Sequence, residues 1–153
     1  MNTRVQGQCQ CGNLSFEFET NIKLEDIRLR SCDCSFCRGH ATRCFSDPAG
    51  RAHISVRDET LLQRYRFAHE TTDFLICDGC GIYLGAVISN TEGCWSTLNF
   101  CLTAHKDLPA DPVSYGGQSR TDRIEQRIGR FTPTTISIGP RRPGCDDNEQ
   151  DTV

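Results

Sequence analysis

Hydrophobic and polar residues alternate along several short segments of the chain, as they do in a β-strand with one buried face. In the first of these segments Leu14, Phe16 and Phe18 share one side, and polar residues occupy the other. The same alternation recurs in five further segments, which contain Ile54 and Val56; Tyr65 and Phe67; Phe74 and Ile76; Ile82, Leu84 and Ala86; and Ile136 and Ile138. Turn residues separate the segments, so the pattern predicts a mainly β fold of antiparallel strands.

One segment near the C-terminus has the periodicity of a helix instead of a strand. Ser119 or Thr121 can cap its N-terminus, and Ile124 and Ile128 lie four residues apart, on one face. The sequence therefore predicts one short C-terminal helix over residues 119–130, which follows most of the predicted strands.

The chain has 153 residues, a length that fits a single domain. Its longest apolar run, residues 84–88, is far too short to cross a bilayer, and residues 1–8 lack the basic and hydrophobic parts of a secretory signal. We therefore expect a cytoplasmic protein that has no membrane partner. Periodicity stops at Pro140, so we predict a domain over residues 1–139 and a disordered tail over residues 140–153.

Charge narrows the choice of partners. The formal net charge at pH 7 is −3, which gives no broad electrostatic attraction to nucleic acid or to anionic lipid. A zinc-ribbon protein that binds nucleic acid would need a basic face and an aromatic platform, and the sequence shows neither. We therefore expect no nucleic-acid partner, and the pattern does not indicate an oligomeric state.

Cysteine is the outstanding feature of the composition, with 11 residues. An odd number in a chain without a secretory signal argues against a disulfide framework, so metal binding is the leading explanation. Seven of the cysteines form three tight groups, which read Cys9-Gln-Cys11, Cys32-Asp-Cys34-Ser-Phe-Cys37 and Cys77-Asp-Gly-Cys80. Soft thiolate clusters of this kind select zinc.

Seven thiolates make one complete four-thiolate site and one three-thiolate site, so we expect two zinc ions per chain. A closed four-cysteine site is structural, whereas three protein ligands leave a position for water, a thiol or a carbonyl oxygen. Spacing alone leaves open which groups share an ion. If the central group supplies three ligands locally, the two outer pairs close the other site. Cys44 or Cys101 could also add a fourth thiolate to the three-thiolate site.

The order and spacing of the motifs resemble the glutathione-dependent formaldehyde-activating enzyme family, which includes centromere protein V. The resemblance covers about residues 5–130. The matching motifs are Gly7-x-Cys9-x-Cys11-Gly12, Cys32-Asp-Cys34-Ser35-x-Cys37-Arg38, Tyr65-x-Phe67 and Cys77-x-x-Cys80-Gly81. The resemblance implies a zinc-held β-tent, with a structural zinc and an exchangeable catalytic zinc. It implies these ligands for the two ions: Cys9, Cys11, Cys77 and Cys80 for the structural zinc, and Cys32, Cys34 and Cys37 for the catalytic zinc.

The same resemblance implies a carbon–sulfur lyase class of reaction, in which formaldehyde and glutathione form S-hydroxymethylglutathione. The partners would then be a small thiol such as glutathione and a small aldehyde. A thiol at an open zinc position is deprotonated and adds to the aldehyde carbonyl, or the ion polarises the carbonyl instead. Arg38 could bind a substrate carboxylate or offset the negative three-thiolate centre. His40 and His69 are candidates for proton transfer. The alternative is a noncatalytic zinc-binding module that binds protein partners, as centromere protein V does.

Overall fold

A computed structural model describes residues 1–139 of the chain. The predicted tail and Cys145 lie outside the described residues. The described strands, in chain order, are β1 Thr3–Gln8, β2 Leu14–Thr20, β3 Leu29–Cys32, β4 Cys44–Phe45, β5 Arg51–Val56, β6 Leu62–Tyr65, β7 Asp73–Cys77, β8 Tyr83–Ser89, β9 Cys94–Asn99, β10 Ala110–Val113 and β11 Thr132–Ile138. The described α-helices are α1 Ser35–Gly39 and α2 Arg120–Arg130. The prediction of a mainly β fold is therefore confirmed.

The strands form one branched sheet. Its longest path runs β1, β2, β5, β11, β9, β4, β3, β10, and β8, β7 and β6 extend from β9 in that order. Strand β9 is the branch point, because β8 pairs along one edge while β11 and β4 share the other. The sequence-based expectation of purely antiparallel strands is wrong at two places, since β11 with β5 and β10 with β3 are parallel pairs. Both pairs join strands far apart in sequence, whose long connections permit a parallel approach.

Strand β2 has the predicted alternation, with Leu14, Phe16 and Phe18 buried on one side. Strand β8 differs, because its first six residues are all buried. It lies between β7 and β9, and its two faces contact separate apolar clusters. Leu84 belongs to the larger cluster and Tyr83 to the smaller one. An alternating sequence pattern predicts one buried face, so it accounts for only half of the buried residues in a strand that is covered on both faces.

Helix α2 confirms the predicted helix. Ser119 is its N-cap, and the Ser119 Oγ accepts a hydrogen bond from the Asp122 N–H at 3.1 Å. Ile124 and Ile128 pack against the smaller apolar cluster, which lies on β7 and β8. The helix therefore covers that face of the sheet. None of the helices in residues 1–139 has the length and apolar character needed to span a membrane.

Helix α1 was not predicted. It is a single turn of five residues, too short to show helical periodicity, and its N-cap is Cys34. The Cys34 Sγ accepts a hydrogen bond from the Cys37 N–H at 3.4 Å, where a serine or aspartate oxygen usually acts. The turn therefore depends on the same cysteines that the sequence singles out as metal ligands.

Candidate metal centres

Four cysteines from two distant turns lie together. Their Sγ atoms are all within 4.8 Å of one another, and the four residues are Cys9, Cys11, Cys77 and Cys80. The Cys11 and Cys77 sulfurs are 3.5 Å apart although 66 residues separate them. The first pair lies between β1 and β2, whereas Cys77 ends β7 and Cys80 lies in the turn before β8. This four-cysteine cluster could hold a metal ion, and it joins the outer pairs that the sequence left unassigned.

The two turns of the four-cysteine cluster have matching backbones. The Cys9 N–H donates to the Leu14 carbonyl and the Cys77 N–H to the Ile82 carbonyl, both at 2.9 Å. Each turn also contains one residue with a positive, left-handed backbone φ, and in both turns this residue is a glycine. Gly12 and Gly81 both have φ of 77°. Glycine adopts this φ without the clash that a Cβ would cause, so each turn can bring its two thiols to one point.

Backbone N–H groups surround the sulfurs of this cluster. The Leu14 N–H donates to the Cys9 Sγ at 3.3 Å. Burial raises the pKa of the Cys77 thiol to about 12. Burial also opposes ionisation of Cys80, but hydrogen bonds from the backbone N–H groups of Cys11 and Ile82, together with those from the Cys77 and Cys9 thiols, lower the pKa of the Cys80 thiol to about 6. Four thiolates can share this small volume only with a cation that replaces their protons.

The second group, Cys32, Cys34 and Cys37, also has all Sγ atoms within 4.8 Å of one another. We call it the three-cysteine cluster. Cys32 ends β3, Cys34 caps α1 and Cys37 lies in α1, so all three ligands come from one short stretch. A hydrogen bond from the Cys37 thiol lowers the pKa of Cys32 to about 6, and the same contact raises the pKa of Cys37. This cluster too could hold a metal ion.

Within residues 1–139, Cys44 and Cys101 are not part of the three-cysteine cluster, whose Sγ atoms all lie within 4.8 Å of one another. The Cys101 Sγ donates to the Ala41 carbonyl at 3.6 Å. Cys44 is buried beside Tyr83, and burial raises the pKa of its thiol to about 12. The three-cysteine cluster therefore has three close thiols, which leaves room for a ligand from outside the protein.

The three-cysteine cluster lines a cavity of about 420 Å³, whereas the cysteines of the four-cysteine cluster do not line it. The cavity floor comes from β3, β4, β9, β8 and β7, and α2 covers it. Phe67, Phe74 and Tyr83 give one part of the wall an aromatic surface. A concave site with an apolar wall and a few converging polar groups is the usual form of a small-molecule site.

Four arginines also line the cavity, namely Arg30, Arg123, Arg127 and Arg130. The last three recur at the spacing that places residues on one face of a helix, here α2. Burial lowers the pKa of Arg123 and lowers that of Arg127 to about 10. Sequence reasoning missed these arginines, although the predicted helix already placed them on one face. What the sequence did not show is that this face covers a cavity.

The other predicted site residues are placed differently. Arg38 is exposed on α1 and is not among the residues that line the cavity. His40 stacks on Phe36 with ring centroids 4.3 Å apart and also stays outside the cavity. His69 does line it, and the His69 Nε2 lies 3.0 Å from the Gln118 carbonyl oxygen. Among these three predicted residues, His69 therefore lines the cavity, and Arg38 and His40 do not.

Comparison with known proteins adds little to this geometry. No protein-family model matches the sequence, and no curated protein matches it. Among solved structures, the chain matches the crystal structure of a Rhodobacter sphaeroides protein, a structural-genomics target. The identity is 24%, the match covers 85% of this chain and 99% of that chain, and the TM-score is 0.46. The family resemblance of the cysteine motifs therefore stays a prediction, and the function has to be argued from the site.

Proposed function

We propose that the chain is a zinc-dependent enzyme of the carbon–sulfur lyase type, with the β-tent fold of the formaldehyde-activating family. Its substrates would be a small thiol such as glutathione and a small aldehyde such as formaldehyde. The observation that carries the proposal is that the three-cysteine cluster lines the cavity and the four-cysteine cluster does not. One ion would then be structural and the other catalytic.

The donor sets fit zinc. A tetrahedral zinc with bonds of about 2.3 Å to sulfur places its sulfurs about 3.8 Å apart. In the four-cysteine cluster the Cys9 and Cys11 sulfurs are 3.8 Å apart and the Cys11 and Cys77 sulfurs 3.5 Å apart. All seven donors are sulfur, which favours zinc over the harder calcium and magnesium ions. Both clusters therefore have ligand chemistry that suits zinc, and the four-cysteine cluster also has sulfur separations close to the tetrahedral value.

The reaction needs a thiolate and an aldehyde carbon at one place. Zinc, when bound, supplies an acidified thiol or a polarised carbonyl. The chain's own contribution is to present three sulfurs to a cavity whose wall is partly apolar, at Phe67, Phe74 and Tyr83. Addition forms a carbon–sulfur bond, and the thiol proton ends on the former carbonyl oxygen. His69 lines the same cavity and is a candidate to carry that proton.

The test is turnover of formaldehyde with glutathione, followed by NMR on zinc-loaded protein. The variant Cys37→Ser removes one ligand of the three-cysteine cluster, and Cys94→Ser is its matched control outside both clusters. We expect turnover in the parent protein and in Cys94→Ser, and loss of turnover in Cys37→Ser. Turnover that is equal in all three proteins would exclude the three-cysteine cluster as the catalytic centre. No turnover in the parent protein with any thiol or aldehyde would favour a noncatalytic module.

A further inference from the structure

The cavity holds more positive than negative charge. Four arginines line it, and Asp33 is the one carboxylate among its lining residues in the described part of the chain. Three thiolates with a divalent ion add one further net negative charge, so two positive charges remain uncompensated. The whole chain has a net charge of −3, so carboxylates are abundant elsewhere. The excess is therefore a local property of this cavity.

The arginines of α2 have no acidic partner within residues 1–139. The ion pairs found there join Arg4 and Arg51 to Glu19, Arg28 to Asp111, and Arg64 and Arg66 to Asp73. None of them involves a cavity arginine. A half-buried cation without a counter-ion is costly, because burial removes its water and no negative charge replaces it.

Neutral contacts satisfy these arginines only in part. The Arg127 Nη1 donates to the hydroxyl oxygens of Thr71 and Thr72, at 2.8 and 2.6 Å, but the Arg127 Nε is buried and has no partner in the described residues. The Arg123 guanidinium lies over the Tyr115 ring at 3.8 Å from its centroid. The Arg127 Nη2 has no hydrogen-bond partner in the described residues either, and it is not among the buried unpaired atoms there, so a ligand in the cavity can provide its acceptor.

Arg127 and Arg123 lie one turn apart on α2, on the face that covers the cavity. A guanidinium presents its donors in a planar fork that matches the two oxygens of a carboxylate. Arg30 lies on β3, away from the helix, and its Nη2 donates to Ser46 and Thr97. Arg130, the third cavity arginine of α2, is exposed. Arg127 and Arg123 are therefore the half-buried pair on α2 that can meet an anionic ligand in the cavity.

We propose that the thiol used by this site carries a carboxylate, and that Arg127, assisted by Arg123, binds this carboxylate while the sulfur lies at the three-cysteine cluster. The site would then select anionic thiols over neutral ones. A thiolate and a carboxylate together supply the two negative charges that the cavity lacks. The inference rests on the proposed function, because it takes the three-cysteine cluster as the place where the thiol binds.

The test compares two thiols of the same size, 3-mercaptopropionate and its neutral amide 3-mercaptopropanamide. Binding of each to zinc-loaded protein is measured by calorimetry. We expect the parent protein to bind the acid about tenfold or more tightly than the amide, as charge-assisted hydrogen bonds predict. Arg127→Gln should bring the ratio close to one and leave binding of the amide nearly unchanged, and Arg127→Lys should restore part of the preference.

Arg120→Gln is the matched control, since Arg120 lies on the same helix but does not line the cavity. It should keep the preference of the parent protein. Equal binding of acid and amide by the parent protein, or binding of neither, would overturn the inference. So would a preference that survives in both Arg127→Gln and Arg123→Gln. If Arg127→Gln does not fold, the inference is still tested by the ratio of acid to amide affinity in the parent protein and in Arg123→Gln.

Turnover of formaldehyde with the same two thiols separates the inference from the proposed reaction. A binding preference for the acid without turnover of either thiol would support the carboxylate site and contradict the lyase reaction. Turnover of both thiols at equal rates, with equal affinities, would support the reaction and contradict the carboxylate site.

Discussion

The two cysteine clusters differ in how the chain builds them. The four-cysteine cluster joins turns that lie 66 residues apart, and its cysteines do not line the cavity. The three-cysteine cluster comes from one short stretch, and all three of its cysteines line the cavity. Each cluster contains both buried and partly exposed cysteines, so burial does not distinguish the two. A long-range cluster closes a large loop of the chain, whereas a local one constrains little of the fold. This difference is the basis for proposing a structural role for the first cluster and a catalytic role for the second.

The largest effect is expected from Cys77→Ser, which removes one ligand of the four-cysteine cluster. Binding of a structural zinc contributes on the order of 10 to 16 kcal/mol, which is comparable with the stability of a whole domain. The variant should therefore misfold or aggregate, and its zinc content should fall. Circular dichroism melting and elemental analysis measure both, with Cys94→Ser as the control. A folded Cys77→Ser protein that keeps two zinc ions would contradict the ligand assignment.

The same substitution at Cys37 should separate fold from function. We expect Cys37→Ser to keep its secondary structure and one zinc ion, because the four-cysteine cluster still joins β1 and β7, and to lose the second ion and its activity. The measurements are those used for Cys77→Ser. Unfolding of both variants to the same extent would mean that both clusters are structural, and the noncatalytic module would then be the better account.

Graded chelation should reveal the same difference without mutation. The three-cysteine cluster has fewer protein ligands and faces the cavity, so its ion should leave first and the ion of the four-cysteine cluster later. Elemental analysis at increasing chelator concentration, with circular dichroism of each sample, follows both steps. We expect the first loss to leave the fold intact. Simultaneous loss of both ions would argue that the two clusters are equivalent.

A smaller effect is expected at the turn of the four-cysteine cluster. Gly81 has φ of 77°, so Gly81→Ala should lower the free energy of unfolding by about 1 to 2 kcal/mol. Gly129→Ala is a control of opposite sign, because Gly129 lies in α2 with no atom near its added Cβ. It should raise the free energy of unfolding by about 0.5 to 1 kcal/mol. Denaturant titration measures both, and an unchanged stability in Gly81→Ala would show that the turn tolerates a side chain.

Local patterns predicted a large part of this molecule. The alternation at Leu14, Phe16 and Phe18 predicted β2, and the spacing of Ile124 and Ile128 after a possible cap predicted α2, because both patterns depend on residues within one element. The cysteine groups were visible for the same reason, since their spacing is short. These features depend on residues a few positions apart, whose relative side-chain directions are determined by the backbone periodicity of a strand or a helix.

Features that depend on distant contacts could not be predicted from local patterns. Spacing alone left open which cysteine groups share an ion, because the pairing of Cys11 with Cys77 follows from how β1 and β7 are placed in space. Only the family resemblance implied the grouping of Cys9 and Cys11 with Cys77 and Cys80, and the structure brings these four together. The parallel pairing of β11 with β5 depends on the path of the chain through α2. The local pattern places Arg127 on a helix but does not show that it lines a cavity. Tertiary packing determines the cysteine grouping, the parallel strand pairing and the position of Arg127 at the cavity, and local sequence patterns carry no information on tertiary packing.

The central claim is that one metal site is closed by the protein and the other is open to the cavity. Crystallography at the zinc absorption edge tests it most directly, because it gives the ligands of each ion. The account predicts two zinc ions per chain. One should be bound by Cys9, Cys11, Cys77 and Cys80. The other should be bound by Cys32, Cys34 and Cys37 with a fourth ligand from outside the protein. A single zinc ion per chain, or a second ion whose fourth ligand is Cys44 or Cys101, would contradict it.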